Sequence, residues 1–182
     1  MAVRQEAPWT PLSALFGGEF HNGSSYTNWR PRGTNDWLLI YTVNGSGLMT
    51  TSSRHGSTQV GEATLYAPGE LHDYQTDPGA GRWHLLWVHF RPKPSWLPWL
   101  RWPAGGHGVK SLQLEKGEAR EHFDQALRRM VQVQRRKGPM AIDLAFNAVL
   151  FVSATALLCV ERALYSFLSY IAAARTLDFF LH

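Results

Sequence analysis

The sequence predicts a mainly β fold, an antiparallel sandwich or barrel followed by a pair of antiparallel α-helices. Three observations carry that prediction. Short strand-like runs follow one another closely between Trp37 and Pro92, separated by Gly and Pro turns. The longest of them, "RWHLLWVHF" at 82–90, is largely apolar on both faces, as a strand buried on both sides requires. After "PKPSWLPWLRWPAGGHG", residues 92–108, the apolar period becomes helical.

Residues 1–28 are rich in Pro, Gly, Ser and Asn without a sustained period, and read as an irregular N-terminal arm. At Trp37 the pattern changes. "WLLIYTV" is an apolar and aromatic strand, "NGSG" supplies residues that tolerate positive φ, and "LMTTS" can return antiparallel, so a hairpin is expected. "STQV" follows a turn at "SRHG", "ATLYA" follows Gly61-Glu62, and "PGE" makes the next turn. In 82–90 the odd positions carry Trp83, Leu85, Trp87 and His89, and the even ones His84, Leu86, Val88 and Phe90. The prolines and glycines of 92–108 forbid long regular structure.

"AREHFDQALRRMVQVQRRKG" then places Phe123, Ala126, Leu127, Met130 and Val131 on one helical stripe, which Gly138-Pro139 stops. A second helix starts near Met140. From Leu144 to Val160 it runs 17 residues without a charge. That length is at the bottom of the transmembrane range, and its Asn, Ser and Thr weaken the span further. A buried or dimer-forming helix is the stronger reading, because a helix apolar all round must be covered.

A length of 182 residues suits one domain with an appendage. The single cysteine, Cys159, excludes an internal disulfide framework and a Cys-based zinc cluster, and fits a reducing compartment. The N-terminus lacks the apolar run of a signal peptide, so a cytoplasmic chain is expected. The net charge of +4 is scattered except for "RRMVQVQRRK" at 128–137, which reads as a solvated helix face rather than a nucleic-acid surface. Aromatic content is the sharper anomaly, with five of the eight tryptophans (Trp83, Trp87, Trp96, Trp99, Trp102) crowded into one stretch. A buried indole N–H wants a partner, which makes tryptophan a poor filler.

Enzyme chemistry finds little support. "GEATLYAPGELH", ending at His72, resembles the second motif of cupin barrels, but the preceding segment offers only His55 and no His-x-His for a metal. His72 therefore reads as a hydrogen-bonding turn or pocket residue, and no metal or other cofactor is assigned. No Gly-x-Ser-x-Gly elbow is present, Cys159 lies in an apolar run, and "GGHG" and "NGSG" lack the lysine of a phosphate loop. What remains is an aromatic pocket with few charges, fit for a neutral polar ligand such as a sugar, or else a set of core tryptophans.

Residues 68–103, "PGELHDYQTDPGAGRWHLLWVHFRPKPSWLPWLRWP", resemble the matching segment of the AraC family of transcriptional regulators. The spacing from Pro-Gly-Glu through His and Tyr to Trp, Phe-Arg-Pro and the closing Trp-Pro carries over without a gap. "RPRGTNDWLLIYTVNGSG" upstream and the Leu-Ala-Phe-Asn of the second helix are similar again. The resemblance implies a cupin-like jelly-roll barrel that binds arabinose or another sugar, followed by two antiparallel helices, the second forming a homodimer interface. It implies sugar contacts from Arg30, Tyr74 and the stacking Trp87, with His72 and Leu85 beside them, and dimer contacts from Leu144, Asn147 and Phe151. Leu85 stands where the family has a histidine, which removes one hydrogen bond and puts L-arabinose itself in doubt as the ligand.

The expected organisation is an arm at 1–28, an effector-binding barrel at 29–108, a helical dimerisation pair at 109–160 and an atypical tail at 161–182. Family members continue into a DNA-binding domain with two helix-turn-helix motifs. This chain stops at His182, so the expectation is a non-enzymatic effector-binding and dimerisation part, truncated before that domain, with DNA reached only through the missing domain. Two competing readings are a metal-dependent cupin enzyme acting on a sugar or small acid, and a membrane-associated protein anchored by 144–174.

Overall fold

A computed structural model of the chain describes residues 15–92 and 94–133. Within them the fold is mainly β, built as two antiparallel sheets. The five-stranded sheet contains β1 (Leu15–Gly23), β3 (Trp37–Gly45), β6 (Glu62–Tyr66), β8 (Arg82–Phe90) and β9 (Lys110–Gln113), in the order β1-β8-β3-β6-β9. The four-stranded sheet contains β2 (Thr27–Arg30), β4 (Gly47–Thr50), β5 (His55–Ser57) and β7 (His72–Thr76), in the order β2-β7-β4-β5. One α-helix, α1 (Glu118–Val133), packs on β1 and β8.

The period-2 geometry of strands divides the core in two. Leu38, Ile40, Trp83 and Leu85 meet Met49, Tyr66, Tyr74 and Val109 in one apolar cluster. Their neighbours along the strands, Leu39, Tyr41, Leu86, Val88 and Phe90, belong to a second cluster with Phe123, Leu127, Met130 and Val131 of α1. The both-sided burial expected of residues 82–90 and the helical stripe of α1 are therefore present. The prolines of the following segment shape a seven-residue 3-10 helix, Pro94–Leu100, which buries Trp96 and Leu100.

Four expectations are corrected. The irregular arm expected over 1–28 gives way from Leu15 onward, because β1 pairs with β8 along its whole length and β2 pairs with β7. The expected hairpin around "NGSG" is a crossing between sheets: β3 pairs with β6 and β8, whereas β4 pairs with β5 and β7. Gly45 has a φ of +72°, and Gly47 lies so close to the Trp83 ring that a Cβ would come within 2.4 Å of it. That packing makes the segment a corner rather than a tight turn. The strand expected at 57–60 forms instead at His55–Ser57. The helical region expected from residue 109 begins only at Glu118, since β9 first closes the edge of the larger sheet against β6.

The segment expected to form the second helix, with Leu144, Asn147 and Phe151, and the tail lie outside the described residues. Among the described residues no helix is long and apolar enough to cross a membrane.

Candidate functional site

The cross-strand register builds a wall from β8 outward. Phe16, Gly18 and Phe20 of β1 stand opposite His89, Trp87 and Leu85 of β8, and on its other side Leu38 and Ile40 of β3 stand opposite His89 and Trp87. Residues at i, i+2 and i+4 share a face, so all of them project toward the smaller sheet. The Trp87 indole lies over Gly18, where a Cβ would be 3.0 to 3.1 Å from three ring atoms. Phe16 and Phe20 flank it, with ring centroids 5.1 and 5.4 Å away. A side chain at position 18 would press on the indole that the two phenylalanines frame.

The facing wall comes from the smaller sheet. Asn28 and Arg30 of β2 stand opposite Tyr74 and His72 of β7. The Arg30 guanidinium donates to the Asn28 side-chain oxygen at 2.9 Å. Between the walls lies a cavity of about 450 Å3 lined by Arg30, Tyr74, Leu85 and Trp87, together with Phe16, Phe20, Tyr26, Asn28, Leu38, Ile40 and His89. That volume falls within the range of about 300–1,000 Å3 typical of small-molecule sites.

The polar groups are tuned by burial. Burial pushes the Tyr26 phenol far above its ordinary value and the neighbouring Tyr74 adds to it. Burial likewise raises the Tyr74 phenol, against the opposing pull of the Arg30 cation. Both hydroxyls therefore stay protonated and can donate or accept. His89 is pushed below its ordinary value by burial, with Asp36 opposing, and its Nδ1 lies 2.9 Å from the Asp36 carboxylate. Burial would raise the pKa of Asp36, but the hydrogen bonds from His89 and Thr34 outweigh it. A neutral His89 donating from Nδ1 keeps Nε2 as an acceptor. The Trp87 Nε1–H is buried without a hydrogen-bond partner among the described residues. An aromatic stacking wall thus faces an edge of hydrogen-bonding groups, an arrangement suited to holding a small polar molecule with one apolar face.

A family model described as the AraC-like ligand binding domain matches residues 17–150. This chain belongs to the AraC-like ligand binding domain family. The arabinose operon regulatory protein of Salmonella typhimurium is 30% identical over 119 residues, covering 65% of this chain and 42% of that protein. Its namesake in Escherichia coli is 29% identical over 118 residues, covering 65% and 40%. The chain spans about two-fifths of the length of these relatives, which are named as regulators rather than enzymes. Among solved structures it is similar to the Cupin_2 domain of an XRE family transcriptional regulator from Enterobacter cloacae, at 11% identity and a TM-score of 0.38, covering 48% of this chain and 92% of that one. It is also similar to iron(II) HppE, at 13% identity and a TM-score of 0.37, covering 42% and 43%.

Within this AraC-like domain, four of the five candidate ligand residues, Arg30, Tyr74, Leu85 and Trp87, line one cavity. The fifth does not. His72 sits behind the lining, completely buried, against the rings of Tyr66 and Tyr74. The hydrogen bonds expected of it are absent, since neither ring nitrogen has a partner among the described residues. Sequence reasoning missed Phe16, Phe20, Tyr26, Asn28 and His89. The alternations Phe16-x-Gly18-x-Phe20 and Tyr26-x-Asn28-x-Arg30 carried the signal, each a period-2 pattern inside a stretch dominated by turn residues.

The burial of His72 gives an acid-stability prediction. Burial and the nearby Arg30 cation depress it to about 3 from an ordinary value of 6.5. The unfolded chain therefore takes the proton first. The stability from neutral His72 is complete above about pH 6.5 and is lost at about 1.4 kcal/mol per pH unit as pH falls toward 3. Chemical denaturation between pH 6.5 and 5 measures this slope above the carboxylate range, and His72→Leu should reduce it, leaving the same-signed share of His89, which burial also depresses. An unchanged slope in the variant would assign the acid sensitivity elsewhere.

Proposed function

We propose that this domain senses a monosaccharide and passes its occupancy to transcription. One observation carries the reading: the Trp87 ring, framed by Phe16 and Phe20, lies across a single cavity from Arg30, Asn28 and Tyr74. A pyranose or furanose offers a C–H face for the indole and hydroxyls for the polar edge. The printed names of the relatives, both arabinose operon regulatory proteins, support the sugar class and the regulatory role. Leu85 is buried at the cavity wall and offers no hydrogen bond, which favours a sugar that is less polar there than L-arabinose.

The output follows from linkage. A ligand that binds one conformation better shifts the population toward it, by no more than its differential affinity. In this proposal the chain is a homodimer through the helix carrying Leu144, Asn147 and Phe151, and contacts DNA only through a separate domain. The test is a thermal-shift screen against pentoses and hexoses. One sugar should raise the melting temperature saturably, adding about 2.7 kcal/mol at 100 times its dissociation constant. A cooperatively melting chain that responds to no sugar would overturn the reading.

A further inference from the structure

We propose that Glu19, His21 and His84 form a binding site for a transition-metal ion that favours imidazole, such as zinc(II), on the outer face of the five-stranded sheet. The backbone brings them together: His21 and His84 stand directly opposite in the β1–β8 register, and Glu19 is two residues from His21 on the same face. Their ligand atoms all lie within 4.8 Å of one another. The Glu19 carboxylate is 2.7 Å from His84 Nε2 and 3.9 Å from His21 Nε2. The two imidazoles stack with centroids 3.8 Å apart.

Zinc bonds of about 2.1 Å in a tetrahedron put ligand atoms about 3.4 Å apart. An ion would replace the Glu19–His84 hydrogen bond, opening that pair from 2.7 Å, and would reorient His21, whose side chain is 71% exposed. Beside the cluster is an open cavity of about 440 Å3, lined by His21 and His84 with Asn22, Gly23, Asn44 and Arg82, where solvent can supply the fourth ligand.

The surrounding charges narrow the choice of ion. Arg128 pairs with Glu19 and, at 2.7 Å, with Asp124, so it keeps a carboxylate when a metal takes Glu19. Burial would raise the pKa of Glu19, but hydrogen bonds from His84 and Arg128 outweigh it and keep the carboxylate ionised. One carboxylate shared with Arg128 is a poor seat for magnesium or calcium, which want several oxygens. Two imidazoles and a carboxylate suit zinc(II), cobalt(II) or nickel(II). The site is distinct from the sugar cavity, which lies on the opposite face of the same two strands. An ion here would clip β1 to β8 from behind, fixing the strand that presents Phe16, Gly18 and Phe20 to the cavity.

The test is titration of the full chain, in a Cys159→Ser background that removes the competing thiol, with cobalt(II) followed by visible absorption and with zinc(II) by calorimetry. Expected are one ion per chain, an intense tetrahedral cobalt spectrum that zinc abolishes, and at least tenfold weaker binding in both His21→Ala and His84→Ala. His55→Ala should bind like the parent. No saturable cobalt spectrum would overturn the proposal, as would parental affinity in His21→Ala, whose exposed side chain makes that variant safe for folding.

Discussion

Trp83→Ala is expected to destabilise the domain by about 3–5 kcal/mol, the cost of removing a large aromatic side chain from a packed core. Trp83 is fully buried, and its indole N–H donates to the Thr42 hydroxyl at 3.1 Å. That hydroxyl donates on to Thr58 at 3.0 Å, and the Thr58 hydroxyl accepts the Gly47 backbone N–H at 2.9 Å. One side chain thus packs both sheets and anchors the corner where the chain crosses between them. Its ring also meets Tyr26 and Tyr74 edge-on, with centroids 6.2 and 6.1 Å away. Truncation leaves a cavity and a buried Thr42 hydroxyl short of one donor. For a chain of this size the melting temperature should fall by about 6–20 °C. Trp83→Phe should lose less, because it keeps an aromatic ring in the core while giving up the N–H and part of the indole that packs on Gly47. Thermal and urea denaturation measure both, and a loss under about 1 kcal/mol in Trp83→Ala would remove Trp83 from the core.

Trp83 and Trp87 show how far the sequence could be read. They lie on one face of one strand, four residues apart. Period and composition do not separate them, so from the residues themselves core is the favoured reading for both, and the pocket reading comes with the family resemblance. What separates them is the strand opposite. Trp83 meets Thr42 and Gly47, whereas Trp87 meets Gly18 between two phenylalanines. Neither partner is a near neighbour in sequence. The two-faced burial of 82–90 and the stripe from Phe123 to Val131 were legible because each is a long run of a single period. β1 was not, because its glycines and polar residues read as turn until β8 is there to pair with them. β9 was hidden for a related reason: four residues give too little alternation, and their strand character comes from the edge of β6. Arg30, Tyr74 and Trp87 entered through family resemblance. Their shared cavity is a product of register, Arg30 and Tyr74 from the paired β2 and β7, Trp87 from β8 of the other sheet.

Trp87→Ala should give the opposite result from Trp83→Ala: a chain that still folds but no longer answers to the proposed sugar ligand. The Trp87 ring is only part-buried, resting on Gly18 and on two phenylalanines that are themselves 37% and 40% exposed. Its removal empties one side of a cavity that already exists, and the wall can relax toward solvent, so the stability loss should be well below that of Trp83→Ala. Binding should suffer more. Losing a central aromatic anchor costs about 2 kcal/mol or more, close to a 30-fold rise in dissociation constant. The thermal shift at a fixed sugar concentration should collapse accordingly. Trp87→Phe, which keeps a face for stacking and loses the Nε1–H, should fall between the two. Tyr74→Phe should cost about 1 kcal/mol, the net value of one neutral hydrogen bond. If the Trp87→Ala chain keeps a full sugar response, the ligand does not stack on that ring. If instead it melts as early as Trp83→Ala, position 87 is core, and the polar edge formed by Arg30, Asn28 and Tyr74 has no stacking surface opposite it.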